Sequence, residues 1–358
     1  MISDHSYSKE WILSQSKKMG NTSPEILELA FNAIGLLEQL SIHKLDFVFK
    51  GGTSLLLHFQ EIKRLSTDID IVTDTPREDL EEKLSAICSA SHFTRWELDT
   101  KRSYNGRIPK AHYLLYFHSY LSGDEKYILL DVLAENPDYP EIIERLVTIP
   151  SMLNEGDSLV VKVPGLNSLL GDKLTAFAPD TIGVTYRSGK HLSMAKQLYD
   201  IDMLIDSEID IRIVSDTFKI SAELEISYLD GEEISIEDVY NDISDTAFLF
   251  AWGIFDKISD QNKLGKYKVF ERGMNALNSY LPGSKRFTRL DMLIAASKAA
   301  YITSIIQAGK PEDFKLFNLQ EKIEKYRFTD KPENVLNKLP RLPGGALYYL
   351  RKTYDLKE

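Results

Sequence analysis

The stretch Phe47–Asp74, FVFKGGTSLLLHFQEIKRLSTDIDIVTD, decides the reading of the whole chain. It opens on a short apolar run, Phe47-Val48-Phe49. Lys50-Gly51-Gly52-Thr53-Ser54 follows, and then Leu55-Leu56-Leu57-His58-Phe59. A charged turn, Glu61–Arg64, leads into Ser66-Thr67-Asp68-Ile69-Asp70-Ile71-Val72, whose alternation with β-branched residues predicts a half-buried strand. On such a strand Asp68 and Asp70 share one face, about 6–7 Å apart. Aligned carboxylates repel each other and raise each other's pKa unless a cation neutralises them. Mg²⁺ suits this pair, because it takes one or two carboxylates and completes its shell with water and phosphate oxygens. The two glycines permit a sharp turn and close approach of a ligand. Thr53 or Ser54 can cap the helix that starts there, and a helix N-terminus offers free N–H groups to a phosphate. One half of the stretch is thus expected to hold a phosphate and the other half its metal.

Gly-Gly, a helix and then Asp-x-Asp on a strand is an order that resembles the polymerase-beta-like nucleotidyltransferase superfamily. The finer form, Lys50-Gly51-Gly52-Thr53 followed by Arg64-x-Ser66-x-Asp68-x-Asp70, resembles the AbiEii/AbiGii-type nucleotidyltransferase toxins of bacterial toxin–antitoxin and abortive-infection systems. The resemblance covers about residues 25–205. It implies a third carboxylate, Asp131 in the apolar strand Tyr127–Leu133, completing a metal triad with Asp68 and Asp70. On residues alone, Asp131 could equally mark the strand's exposed end. The resemblance also covers Lys173 in one helix, and Lys196 with Asp200 in the next. Where the family often has an aspartate after that second lysine, this chain has Gln197. Lys173 then contacts phosphate, although by pattern it is as readily a surface lysine, and Asp200 could simply pair with Lys196.

Composition sets the outer limits. A chain of 358 residues defaults to two domains, and 43% hydrophobic with 27% charged residues is ordinary globular usage. The polar N-terminus and the lack of a long apolar run predict a cytoplasmic protein with no membrane partner. One cysteine, Cys88, precludes an internal disulfide and a cysteine-ligated zinc. A net charge of −11 argues against coating by nucleic acid but leaves room for a local basic groove.

Along the chain, residues 24–41 show helical spacing behind an Asn21-Thr22-Ser23-Pro24 start. Arg77–Ala90 reads as a helix; Phe93–Lys101, Ala111–Tyr120, Tyr127–Leu133 and Asp157–Val163 read as strands. Pro164-Gly165 marks the boundary between an α/β domain, 1–164, with a mixed sheet, and a mostly helical domain, 165–358. Helices are predicted at Leu166–Ala178, Met194–Ile205, Asp238–Phe255, Lys268–Tyr280 and Leu290–Gln307. The acidic run Glu223–Asp245 reads as a solvated face or mobile segment. Lys101, Arg102, Arg107 and Lys110, around Tyr104, form either a solvated hairpin tip or a rim for a negatively charged acceptor.

The expected function is nucleotidyl transfer from a nucleoside triphosphate, with Mg²⁺ or Mn²⁺, at a site between the domains. Asp68 and Asp70 hold metal, and Asp131 orients or deprotonates the acceptor. Gly51, Gly52 and Thr53 cradle phosphates with Arg64 and Ser66 beside them, and Lys173 offsets pyrophosphate charge. The resemblance implies an RNA acceptor, transfer RNA foremost, and a cognate antitoxin. A protein hydroxyl, even Ser66 itself, is the other acceptor. The rival readings are a nucleotide-sensing or partner-binding protein that has lost transfer, and a kinase-like phosphotransferase.

Overall fold

The computed structural model describes residues 1–104, 108–229, 233–329, 336–339 and 345–357. Arg107, with Asn105-Gly106, lies outside them, as does most of the Lys338–Gly345 loop. The chain forms two units, 1–165 with 279–286, and 166–278 with 287–358.

The first unit is built on a mixed sheet. Among the described residues it has seven strands: β1 (Val48–Lys50), β2 (Ile69–Val72), β3 (Phe93–Leu98), β4 (Lys110–His118), β5 (Glu125–Leu133), β6 (Ile142–Leu146) and β7 (Val160–Pro164). Their order is β3-β4-β5-β2-β1-β7-β6. β2 runs parallel to β5 and antiparallel to β1, so the centre of the sheet is mixed. Ile69 and Ile71 are buried and belong to one core with helix α2 (Pro24–Ile42), whose Leu27, Phe31, Ile34 and Leu37 are fully buried. Pro24 at the first turn and the Ser23 side chain, which accepts from Ile26 N, start that helix as the sequence indicates. Helix α1 (Lys9–Lys18) precedes it, and α4 (Arg77–Ala90) covers β3. The strand alternation sends Asp70 to the face opposite the isoleucines.

Helix α3 (Gly51–His58) follows β1 directly. Its N-cap residue is Lys50, which makes no side-chain cap bond. This corrects the expectation that Thr53 or Ser54 caps the helix. Ser54 Oγ donates instead to the Gly51 carbonyl at 2.8 Å, and Thr53 Oγ1 to the Asp68 carbonyl at 2.5 Å. The strand also starts later than predicted: β2 begins at Ile69, and Asp68 stands just before it, held by Thr53.

A short return completes this unit. Residues 279–286 dock on it through Tyr280, whose carbonyl accepts from Leu65 N at 2.7 Å, and through Gly283 N, which donates to Thr22 Oγ1 at 3.3 Å. Nothing in the sequence signals this return.

The second unit is helical: α5 (Leu166–Ala176), α6 (His191–Ile205), α7 (Ile211–Ser227), α8 (Ile236–Gly253), α9 (Gln261–Leu277), α10 (Arg289–Ala308) and α11 (Ala346–Lys357). α10 is buried along nearly its whole length, from Met292 to Ile306. The acidic stretch that reads as a solvated or mobile segment holds instead the end of α7 and the start of α8, with a capping box between Ser235 and Asp238. Among the described residues no helix is long and apolar enough to cross a membrane.

Candidate active site

One row of side chains crosses the centre of the sheet. Lys50 on β1 pairs in register with Asp70 on β2, Asp70 with Asp131 on β5, and Asp131 with His112 on β4. Residues paired across neighbouring strands share a face, with strands about 4.8 Å apart. The row therefore reads Lys50, Asp70, Asp131, His112, from β1 to β4. Asp131 thus lies on the face of Asp70 within the sheet, and not at a frayed strand end. Its carboxylate is one strand away from that of Asp70.

The two carboxyls have different electrostatics. Burial, then the charge of Asp131 and that of Asp68, push Asp70 up to about 6, against the pull of Lys110 and Lys50. Burial acts on Asp131 in the same sense, but a hydrogen bond from His112, with the charges of Lys110, His112 and Arg102, holds it below the usual carboxylate range. His112 Nδ1 lies 2.5 Å from Asp131 Oδ1, so Nδ1 carries the hydrogen and donates. The histidine backbone is fixed as well: its N–H donates to Ser103 Oγ at 2.9 Å, and its carbonyl accepts from Asp99 N at 2.8 Å. His112 escapes sequence reasoning because a lone histidine in a strand carries no signal. Only the β4–β5 register reveals it. Lys110 and Arg102, from the loop expected to be basic, act on these carboxyls; Tyr104 stacks under Arg77 at 5.1 Å.

The glycines are required by contacts to the same row. Gly51 has φ +77°, and a Cβ there would collide with the Asp70 carboxyl. A Cβ on Gly52 would collide with the Arg64 guanidinium. Arg64 and Ser66 are buried, and Arg64 donates to the Leu65 carbonyl at 3.1 Å. Tyr280, from the returning segment, feels both Asp68 and Arg64: burial and Asp68 raise its pKa, while Arg64 opposes them.

Among the described residues no three His, Cys, Asp or Glu side chains close a metal site by themselves. The donor set still fits a divalent cation that draws its other ligands from water and phosphate. Asp70 and Asp131 are hard oxygen donors on one face, Asp68 adjoins them, and burial without a cation holds Asp70 partly protonated near pH 6.

Lys173, Lys196 and Asp200 belong to the second unit. Lys173 is no surface lysine: it is 3% exposed, and its Nζ lies 2.7 Å from Asp200 Oδ2. Gln197, the departure from the family pattern, accepts from the same ammonium at 3.1 Å. α5 and α6 are thus joined by one buried cation shared between two side chains of α6. Lys196 is partly exposed on the same helix.

Comparison with known proteins gives one family. The family described as "Nucleotidyl transferase AbiEii toxin, Type IV TA system" matches residues 35–238, more than half of the chain. No curated protein matches. Two solved structures are similar to parts of the fold. One, a candidate nucleotidyltransferase from H. pylori, is 15% identical with a TM-score of 0.44, over 80% of this chain and 99% of that one. JHP933 from Helicobacter pylori is 13% identical with a TM-score of 0.41, over 87% of this chain and 96% of that one.

Proposed function

The chain belongs to the AbiEii nucleotidyl transferase toxin family of type IV toxin–antitoxin systems, and from that premise we propose that it moves a nucleotidyl group from a nucleoside triphosphate to an RNA hydroxyl, transfer RNA foremost. The observation that carries the reading is the row Lys50, Asp70, Asp131, His112 on one face of the sheet. Two carboxyls side by side on a buried face repel each other, and such an arrangement is useful where a cation and a polyphosphate relieve it.

Asp70 and Asp131, with Asp68, would hold Mg²⁺ or Mn²⁺; when bound, the ion neutralises triphosphate charge and polarises the reacting phosphorus. The backbone at Gly51 and Gly52 can approach the phosphates because no Cβ stands in the way, and Thr53 contributes its N–H, since its hydroxyl is committed to Asp68. Arg64 and Ser66 line the same loop. Asp131, ionised and steered by His112, takes the proton of the acceptor hydroxyl. The acceptor oxygen forms a bond to the α-phosphorus, the bond to the β-phosphate bridging oxygen breaks, and pyrophosphate leaves. Lys173 lends charge to the triphosphate while Asp200 and Gln197 hold it in place. Arg102 and Lys110 favour an anionic acceptor beside the carboxyls, and family membership implies a cognate antitoxin.

The test is incubation of the protein with each of four α-labelled triphosphates, Mg²⁺ and separate RNA and protein fractions. Label in RNA, weakening as salt rises in proportion to the few phosphates contacted, supports the reading. Label confined to protein would move the acceptor to a protein hydroxyl. Label from the γ-position instead would make the protein a phosphotransferase.

A further inference from the structure

The second unit contains a cavity of about 500 Å³ lined by residues from Asp180 to Lys266. That volume is in the range of small-molecule sites. All of its lining except Asp180 and Tyr186 lies beyond residue 238, where the match to the family ends, so the cavity belongs to the part of the chain that the family does not describe.

Its lining combines flat rings with surplus positive charge. Phe248 and Trp252, one helical turn apart on α8, stand on one wall, and both are only part-buried. The Trp252 indole N–H has no acceptor among the described residues. Tyr186 contributes a third ring, with Lys266 Nζ 5.2 Å from its centre. Lys266 is already neutralised, since both Asp180 oxygens accept from it at 2.6 and 2.7 Å.

The remaining charges do not cancel. Lys257 and Lys263 are exposed at the cavity and have no acidic partner among the described residues. Asp260 is committed to capping α9, accepting from Lys263 N at 2.8 Å. The charge of Asp245 acts on Lys357 of α11. Two free ammonium groups, an indole donor and stackable rings remain, which together suit a planar ligand that carries an anion.

We propose that this cavity is a second binding site, for a planar anionic ligand of the nucleoside monophosphate type, its ring against Trp252 and Phe248 and its phosphate on Lys257 and Lys263. The site needs no divalent cation, because it supplies its own positive charge.

The experiment is a fluorescence titration of the full chain in EDTA with AMP, GMP, CMP and UMP, and with inorganic phosphate. Trp252 is one of three tryptophans, so quenching that is lost in Trp252→Phe assigns the signal. The expected result is saturable quenching by at least one monophosphate, weakened roughly tenfold or more in Lys257→Ala/Lys263→Ala, because two charge-assisted contacts are lost. Both lysines are exposed, so that variant should melt like the parent. Asp70→Asn should bind the monophosphate unchanged. The proposal is overturned by no saturable binding in the millimolar range, by inorganic phosphate binding as tightly as any nucleotide, or by affinity that follows Asp70 and ignores the two lysines.

Discussion

Asp70→Asn removes one charge and almost no volume from the crowded centre of the row. Transfer should be abolished while the fold persists. The folded pKa of Asp70, about 6, is above its unfolded value, so without metal this group favours folding at acid pH and loses that contribution as pH rises through about 4 to 6. At neutral pH the metal-free asparagine variant should therefore melt at the wild-type temperature or above it. Mg²⁺ should raise the melting temperature of the wild type, more at pH 7.5 than at pH 5, and should leave the variant where it is. Near-wild-type turnover in the variant would refute the metal reading. His112 allows a finer test. Asparagine places an amide N–H about where Nδ1 stands, whereas leucine removes the donor. His112→Asn should keep most of kcat, and His112→Leu should lower it roughly 10- to 100-fold with little change in nucleotide affinity, as for other groups that orient ligating carboxylates. Mn²⁺ binding followed by electron paramagnetic resonance should weaken in the leucine variant and recover in the asparagine one.

Buried charge also joins elements. The Lys173–Asp200 pair between α5 and α6 is almost wholly out of water, so Lys173→Ala should cost about 3–5 kcal/mol of stability by stranding Asp200. A loss of nucleotide binding in that variant alone would be ambiguous. The double variant Lys173→Met/Asp200→Leu removes both charges and should recover most of the stability in a urea melt. If Lys173 serves the triphosphate, calorimetry with a non-hydrolysable analogue should still show binding weakened by about 1.5–3 kcal/mol; equal affinity would return the pair to the scaffold. Elements with one buried face were legible in the sequence. β4, β5 and α2 lie within a residue or two of the expected bounds, because a one-sided core imposes its period on them. β6 was not legible: its residues alternate between exposed and half-exposed, so neither face imposes a pattern. α7 was hidden by its acids, which face water while Val214, Phe218 and Ala222 face in. In the site itself, Gly51, Asp70 and Asp131 were legible through chemistry borne by one segment or one out-of-place charge. His112 and Tyr280 were not, since their roles arise from strand register and from a return of the chain over two hundred positions later.

At the scale of the molecule, the first unit is discontinuous in sequence. Its loop Arg64–Asp68 is bordered by Tyr280, and Gly283 sits so close to Gly20 that a Cβ on Gly20 would press on its backbone. A fragment ending at residue 165 should consequently melt below the same fragment carrying residues 279–286 on a flexible linker, by several degrees for each kcal/mol the docked segment contributes. Equal melting curves would show that the return is incidental.

The same discontinuity sets a clock on the growing chain. Residues up to 165 leave the ribosome about 120 residues before residue 286 does, an interval of roughly 6–24 s at ordinary rates of synthesis. Throughout that interval the nascent protein has its carboxylate row but lacks the segment that borders Asp68. A toxin built this way is born incomplete, and its producing cell has those seconds before the first finished copy exists.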